Sequence, residues 1–159
     1  MHIWQIGDVK ITQLIELTTA SLGPYLIPQA TPEKMKKVKW LSPFLDDAHR
    51  IVLSMHMLVL EVKGQTIVVD TCIGNEKERT YPKWNMMQTD FLGRFASAGF
   101  DVNTVDSVLC THMHVDHVGW NTIKVGDKWE PTFSNARYLF AEQEWDYWKV
   151  EPQEYGPVV

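Results

Sequence analysis

The chain has 159 residues, 45% of them apolar and 22% charged, with 15 Lys and Arg against 20 Asp and Glu for a net charge of −5. A chain of this length fits one domain, spanning 1–159, that buries roughly 68–70% of its unfolded surface, and the composition excludes a disordered tail, a collagen-like chain and a coiled coil. The acidic balance argues against nucleic acid as a partner, because such surfaces cluster Lys and Arg.

Residues 2–17 alternate weakly about a Gly7-Asp8 turn, which predicts a hairpin with strands over 2–6 and 9–17. Gly23, Pro24 and Pro28 make 21–29 a loop. Thr31-Pro32-Glu33 then opens a short helix, since Thr suits the N-cap and Pro the first helical position. Lys34, Lys36, Lys37 and Lys39 read as its solvated face. Residues 51–62 are rich in Val, Leu and Met and predict a largely buried strand. Its uncharged run covers 51–60, too short for the roughly 20 residues that span a bilayer, so no membrane is expected as a partner.

Lys63-Gly64-Gln65 is a turn, and 66–70 is a strand that ends in Asp70. Pro82 and the lack of a period make 79–87 a loop. Phe91, Leu92, Phe95 and Ala96 stand at helical spacing within 88–98, and Gly99 stops the helix. Further strands are predicted over 108–111 and 137–141, a helix over 142–150, and a loop over 151–159. Strands first, then strand–helix alternation, give a mixed α/β fold class. Lys10 comes too late for a basic leader, and Asp8 breaks the early apolar stretch. Cys72 and Cys110 form no CxxC pair, so a reducing, cytoplasmic location is expected.

One stretch concentrates chemistry. Thr111-His112-Met113-His114-Val115-Asp116-His117 holds three of the six His in the chain and an Asp. In extended chain, residues i and i+2 point the same way, so His112 and His114 can converge on one ion. A turn after Val115 would swing Asp116 and His117 toward a second ion. Imidazole and carboxylate donors suit Zn²⁺, with Fe or Mn as substitutes. Cys110 reads as a packed structural thiol. Of the remaining His, His2, His49 and His56 lie upstream, and His56 sits in the apolar strand as an expected core residue.

This stretch, followed by Val118-Gly119, resembles the HxHxDH signature of the metallo-β-lactamase superfamily. Thr66-Ile67-Val68-Val69-Asp70-Thr71-Cys72-Ile73-Gly74 is similar to the family's strand that ends in Asp-Thr with Gly close behind. The span from Asp70 to Thr122 further resembles the lactonase and organophosphate-hydrolase branch. The resemblance implies an αββα sandwich, of which this chain would be the N-terminal half. It implies that His112 and His114 ligate a first zinc and that Asp116 and His117 ligate a second. Asp70 would orient the metal loop through hydrogen bonds without touching an ion.

The family completes each site with later His residues and a bridging Asp, and no His follows His117. A domain truncated at its C-terminus is therefore expected. The implied function is a dinuclear metallo-hydrolase in which a metal-bound hydroxide, oriented by the catalytic Asp116, attacks a small ester or lactone. The alternatives are a nuclease or phosphodiesterase of the same superfamily, and a non-catalytic metal-binding fragment. Trp84 and Trp120 are candidates for an apolar pocket or, alternatively, for core packing.

Overall fold

The computed structural model describes residues 1–150, so the loop expected over 151–159 lies outside the described residues. The chain resolves into two compact units, Leu17–Met55 and a larger one made of Met1–Glu16 with His56–Val159.

In chain order the elements begin with strands β1 (His2–Ile6) and β2 (Val9–Thr19), which pair antiparallel about the Gly7 turn as the sequence predicts. The smaller unit carries two single-turn helices, α1 (Gly23–Leu26) and α2 (Pro32–Met35), and a 3₁₀ helix over Lys39–Phe44. The expected loop over 21–29 thus contains a helical turn, seeded by a proline in the first helical positions. Strands β3 (Leu53–Val62) and β4 (Gln65–Val69) form a second antiparallel hairpin. Helix α3 (Phe91–Ser97) starts three residues later than the sequence suggests and ends before Gly99, whose φ of +93° suits glycine. Strand β5 (Ser107–Leu109), the hairpin β6 (Thr122–Val125) and β7 (Lys128–Pro131), strand β8 (Arg137–Leu139) and helix α4 (Glu142–Trp148) complete the fold.

The six-stranded sheet runs β1-β2-β3-β4-β5-β8, antiparallel where β3 meets β4 and parallel where β4 meets β5 and β5 meets β8. This is the mixed α/β class that the sequence predicts. The alternation of strand side chains decides what each face does. On one face Met57, Val59, Val68 and Val108 are fully buried, in a core with Phe91 and Phe95 of α3 and with Phe133. On the other face the register aligns Leu58 with Val69, Leu109 and Leu139, and Leu109 stays 40% exposed. His56 falls between the buried Met55 and Met57 and points to that second face. It is half-buried, which corrects the expectation of a core histidine. Trp84 and Trp120 are buried, as core packing requires. Both cysteines are buried free thiols. Among the described residues no helix is long and apolar enough to cross a membrane.

Candidate metal centre

Strands β4 and β5 are parallel neighbours, so their C-terminal ends emerge at one edge of the sheet, where α/β proteins gather their chemistry. β5 stops at Leu109, two residues short of the predicted end. A long-range side chain is the reason: Thr111 N–H donates to Asp70 Oδ1 at 2.8 Å, and its hydroxyl donates to Asp70 Oδ2 at 2.8 Å. Asp70 and Cys72 both adopt φ of +55°, a left-handed backbone that turns the chain away from the sheet.

The turn then interleaves with the metal loop. Thr71 N–H donates to the His117 carbonyl at 2.8 Å, Gly119 N–H to the Cys72 carbonyl at 2.7 Å, and Trp120 N–H to the Thr71 carbonyl at 2.8 Å. Two backbones meet here with no side chain between them. A Cβ on Gly119 would stand 1.9 Å from the Ile73 carbonyl carbon.

All four predicted ligands come together. His112 Nε2 lies 2.9 Å from His114 Nδ1, and His117 Nε2 lies 3.6 Å from Asp116 Oδ2. The His112 and His117 rings stand 3.9 Å apart, centroid to centroid. Two of these rings use their other nitrogen on the protein. His117 Nδ1 meets Asp70 Oδ2 at 2.8 Å, and His112 Nδ1 meets the Thr111 hydroxyl at 3.2 Å. Donors about 2.0–2.2 Å from one tetrahedral zinc stand roughly 3.3–3.6 Å apart, so the Asp116–His117 pair has that spacing, whereas the His112–His114 pair is at hydrogen-bond distance and would have to open to admit an ion. Among the described residues no group of three or more His, Cys, Asp or Glu is placed to hold a single ion.

The charges follow from burial and contact. Burial lowers the pKa of His112, and the neighbouring His117 and His114 lower it further. Burial also opposes the His117 cation, but the Asp70 bond and the Asp116 charge outweigh it, and the pKa of His117 rises. Asp70 loses solvent, yet the bonds from His117 and Thr111 win and hold its carboxyl below the usual range.

Behind the metal loop lies a cavity of about 570 Å³, lined among others by Met113, Val118, Lys77, Arg79, Trp129 and Trp145. The indoles that line it are Trp129 and Trp145, in place of Trp84 and Trp120. Lys77 Nζ donates to the Thr122 hydroxyl at 2.8 Å and sits 3.7 Å from the centroid of the Trp129 ring. Burial, followed by the charge of Arg79, pushes Lys77 down to about 8 from an ordinary 10.5. A lysine with a depressed folded pKa holds fewer protons when folded than when unfolded between those two values, so its contribution to stability rises with pH there. Urea unfolding of the chain and of Lys77→Met at pH 7.5 and pH 10 checks this. The wild type is expected to gain on the variant at the higher pH, and a constant difference would contradict the assignment.

Sequence reasoning missed two buried charged groups, Glu16 and Arg79. Glu16 left a signal. It shares the inward alternation of Thr12 and Leu14 on β2, where an acid breaks the apolar pattern. Arg79 left none, because its surroundings are irregular loop.

Comparison with known proteins adds to this geometry. A family model described as the metallo-beta-lactamase superfamily matches residues 52–158. Among solved structures, a probable metal-dependent hydrolase from Staphylococcus aureus superposes with a TM-score of 0.67 at 23% identity, over 94% of this chain and 52% of its own. The hydrolase AbOPH, of the beta lactamase superfamily, gives a TM-score of 0.67 at 24% identity, over 96% and 48%. AidC, a dizinc quorum-quenching lactonase solved with an N-acyl-homoserine product, gives 0.68 at 20% identity, over 95% and 48%. The chain therefore spans about half the length of these structures. No curated protein sequence matches significantly.

Proposed function

The chain belongs to the metallo-β-lactamase superfamily, and from that premise we propose that it serves as a zinc-dependent hydrolase of small esters or lactones. The observation that carries the reading is the division of the donors into two pairs, His112 with His114 and Asp116 with His117, spaced at 2.9 and 3.6 Å. Each pair would hold one ion, and Fe or Mn could replace zinc on the same donors. Bound there, the metal supplies Lewis-acid polarisation of a carbonyl and a water acidic enough to react near neutral pH.

The chain's own residues set the geometry. Asp70 fixes the tautomer and tilt of His117 through Nδ1, which leaves Nε2 free for the ion. The Asp116 side chain is partly open to solvent and would orient the attacking water and take up its proton. The lactonase among the structural neighbours supports a small acyl substrate, and the net charge of −5 disfavours a polyanionic one. Free buried thiols fit the cytoplasmic location expected from the sequence.

A second reading is a metal-binding chain without turnover, and it is favoured by the finding that among the described residues no group of three or more His, Cys, Asp or Glu is placed to hold one ion. Catalytic zinc ordinarily takes three protein ligands, so the chain is expected to hold zinc weakly. Zinc titration of the purified chain, with assays of a lactone and an activated ester at saturating zinc, separates the two. Two ions with turnover support the hydrolase. Two ions without turnover support the second reading. Zinc uptake no greater than that of a His112→Ala and His117→Ala double variant would sink both.

A further inference from the structure

We propose that Glu16 is a positioning residue that fixes the spacing between the metal loop and the turn after β4. The proposal rests on the metal-centre reading above. Glu16 ends its run on β2 with only 5% of its surface exposed. Its Oε2 accepts the Ile73 N–H at 2.8 Å, and its Oε1 accepts the Trp120 Nε1–H at 2.7 Å. One carboxylate thus bridges the two stretches that carry the site. Ile73 follows the Asp70-Thr71-Cys72 turn, and Trp120 follows His117-Val118-Gly119.

Between these two anchor points the stretches share three backbone hydrogen bonds, from Thr71, Gly119 and Trp120. The Gly119 backbone packs directly on Ile73. A shift of either anchor moves His117, whose carbonyl accepts the Thr71 N–H and whose ring Nδ1–H donates to Asp70. Arg94 secures the near end by donating to the carbonyls of Ile15 and Glu16 at 2.8 and 3.1 Å.

A purely stabilising role explains this arrangement poorly. Burying a carboxylate is expensive, and well-packed apolar groups often serve stability as well or better. Burial accordingly raises the pKa of Glu16, against the bonds from Ile73 and Trp120 that lower it. What a carboxylate offers here is two acceptor oxygens on one rigid fork, in short charge-assisted bonds that fix geometry.

Amide hydrogen exchange on the metal-free chain tests the proposal without any ion. Glu16→Gln keeps the shape but turns one acceptor into a donor. It is expected to speed exchange at Thr71, Gly119 and Trp120 by about tenfold or more while Val59 and Val68 keep their protection. Zinc affinity is expected to fall by about tenfold, as losing an outer support typically does. Trp120→Phe keeps an aromatic ring near Phe91 but removes the N–H together with the five-membered ring, so it should reproduce part of both effects, and it decides the matter should Glu16→Gln fail to fold. Unchanged exchange at the three amides would overturn the proposal. So would equal acceleration at every amide, which marks a general stabilising role. Should the wild type take up no zinc, the metal reading falls while the exchange result still decides the role of Glu16.

Discussion

Gly119→Ala is expected to destabilise the chain by about 3 kcal/mol or more, at the upper end for overpacking. The new Cβ would stand 1.9 Å from the carbonyl carbon and oxygen of Ile73 and 2.5 Å from the Gly74 nitrogen. All three are backbone atoms, so no side-chain rotation relieves the clash. The two stretches must part, and the bonds from Gly119 to Cys72 and from Trp120 to Thr71 break with them. Gly93→Ala is the control. Its Cβ would stand 2.2 Å from Oδ1 of Asp90, a side chain that can swing away. Gly93 lies inside α3, where alanine is the better helix former by up to about 1 kcal/mol. Urea unfolding of both variants should therefore show a large loss for one and a small change of either sign for the other. Comparable losses would mean that the two stretches are less rigidly stacked than their distances imply.

Asp116→Asn is expected to lower the affinity of the second zinc by more than about 100-fold, beyond the 10–100-fold typical of an outer support, while the unfolding free energy moves by about 0.5 kcal/mol or less. The asymmetry follows from placement. Asp116 makes an ion pair with His117 at 3.6 Å, and its side chain is 25% exposed, so folding depends little on it. The His112–His114 pair does not use this carboxylate. Calorimetric zinc titration should show binding at the His112–His114 pair unchanged and binding at the Asp116–His117 pair lost. Wild-type stoichiometry and affinity in the variant would remove Asp116 from the ligand set.

The sequence made the sheet legible where burial follows a period. β2, the β3–β4 hairpin, α3 and α4 carry apolar spacing and occur with ends shifted by a few residues, whereas β1, exposed throughout, is legible from weak alternation about the Gly7-Asp8 turn. The β6–β7 hairpin went unread for the opposite reason. β7 is exposed throughout and β6 nearly so, which leaves only the turn at Gly126 as a signal. The end of β5 moved because a side chain competes for a backbone group. Asp70 claims the Thr111 amide, and that bond joins residues 41 positions apart. The four donors within 112–117 were legible because their spacing is local. Their support from Glu16, Asp70 and Thr71 was legible only in part, because it depends on which strands become neighbours.

The same contrast between near and far contacts governs what zinc can do for folding. The donors His112, His114, Asp116 and His117 lie within six consecutive positions. The bonds that shape them reach across 41, 57 and 104 positions. Unfolding erases the long-range bonds but leaves the four donors close together on the coil. On the proposed metal reading the denatured chain would remain a zinc host, and a ligand that binds both states stabilises the fold only by the ratio of its two affinities. Each tenfold of affinity retained by the coil removes about 1.4 kcal/mol from the stabilisation. Zinc should then raise the melting temperature by less than its affinity for the folded chain implies, and the shortfall measures how much of the site is written in local sequence alone.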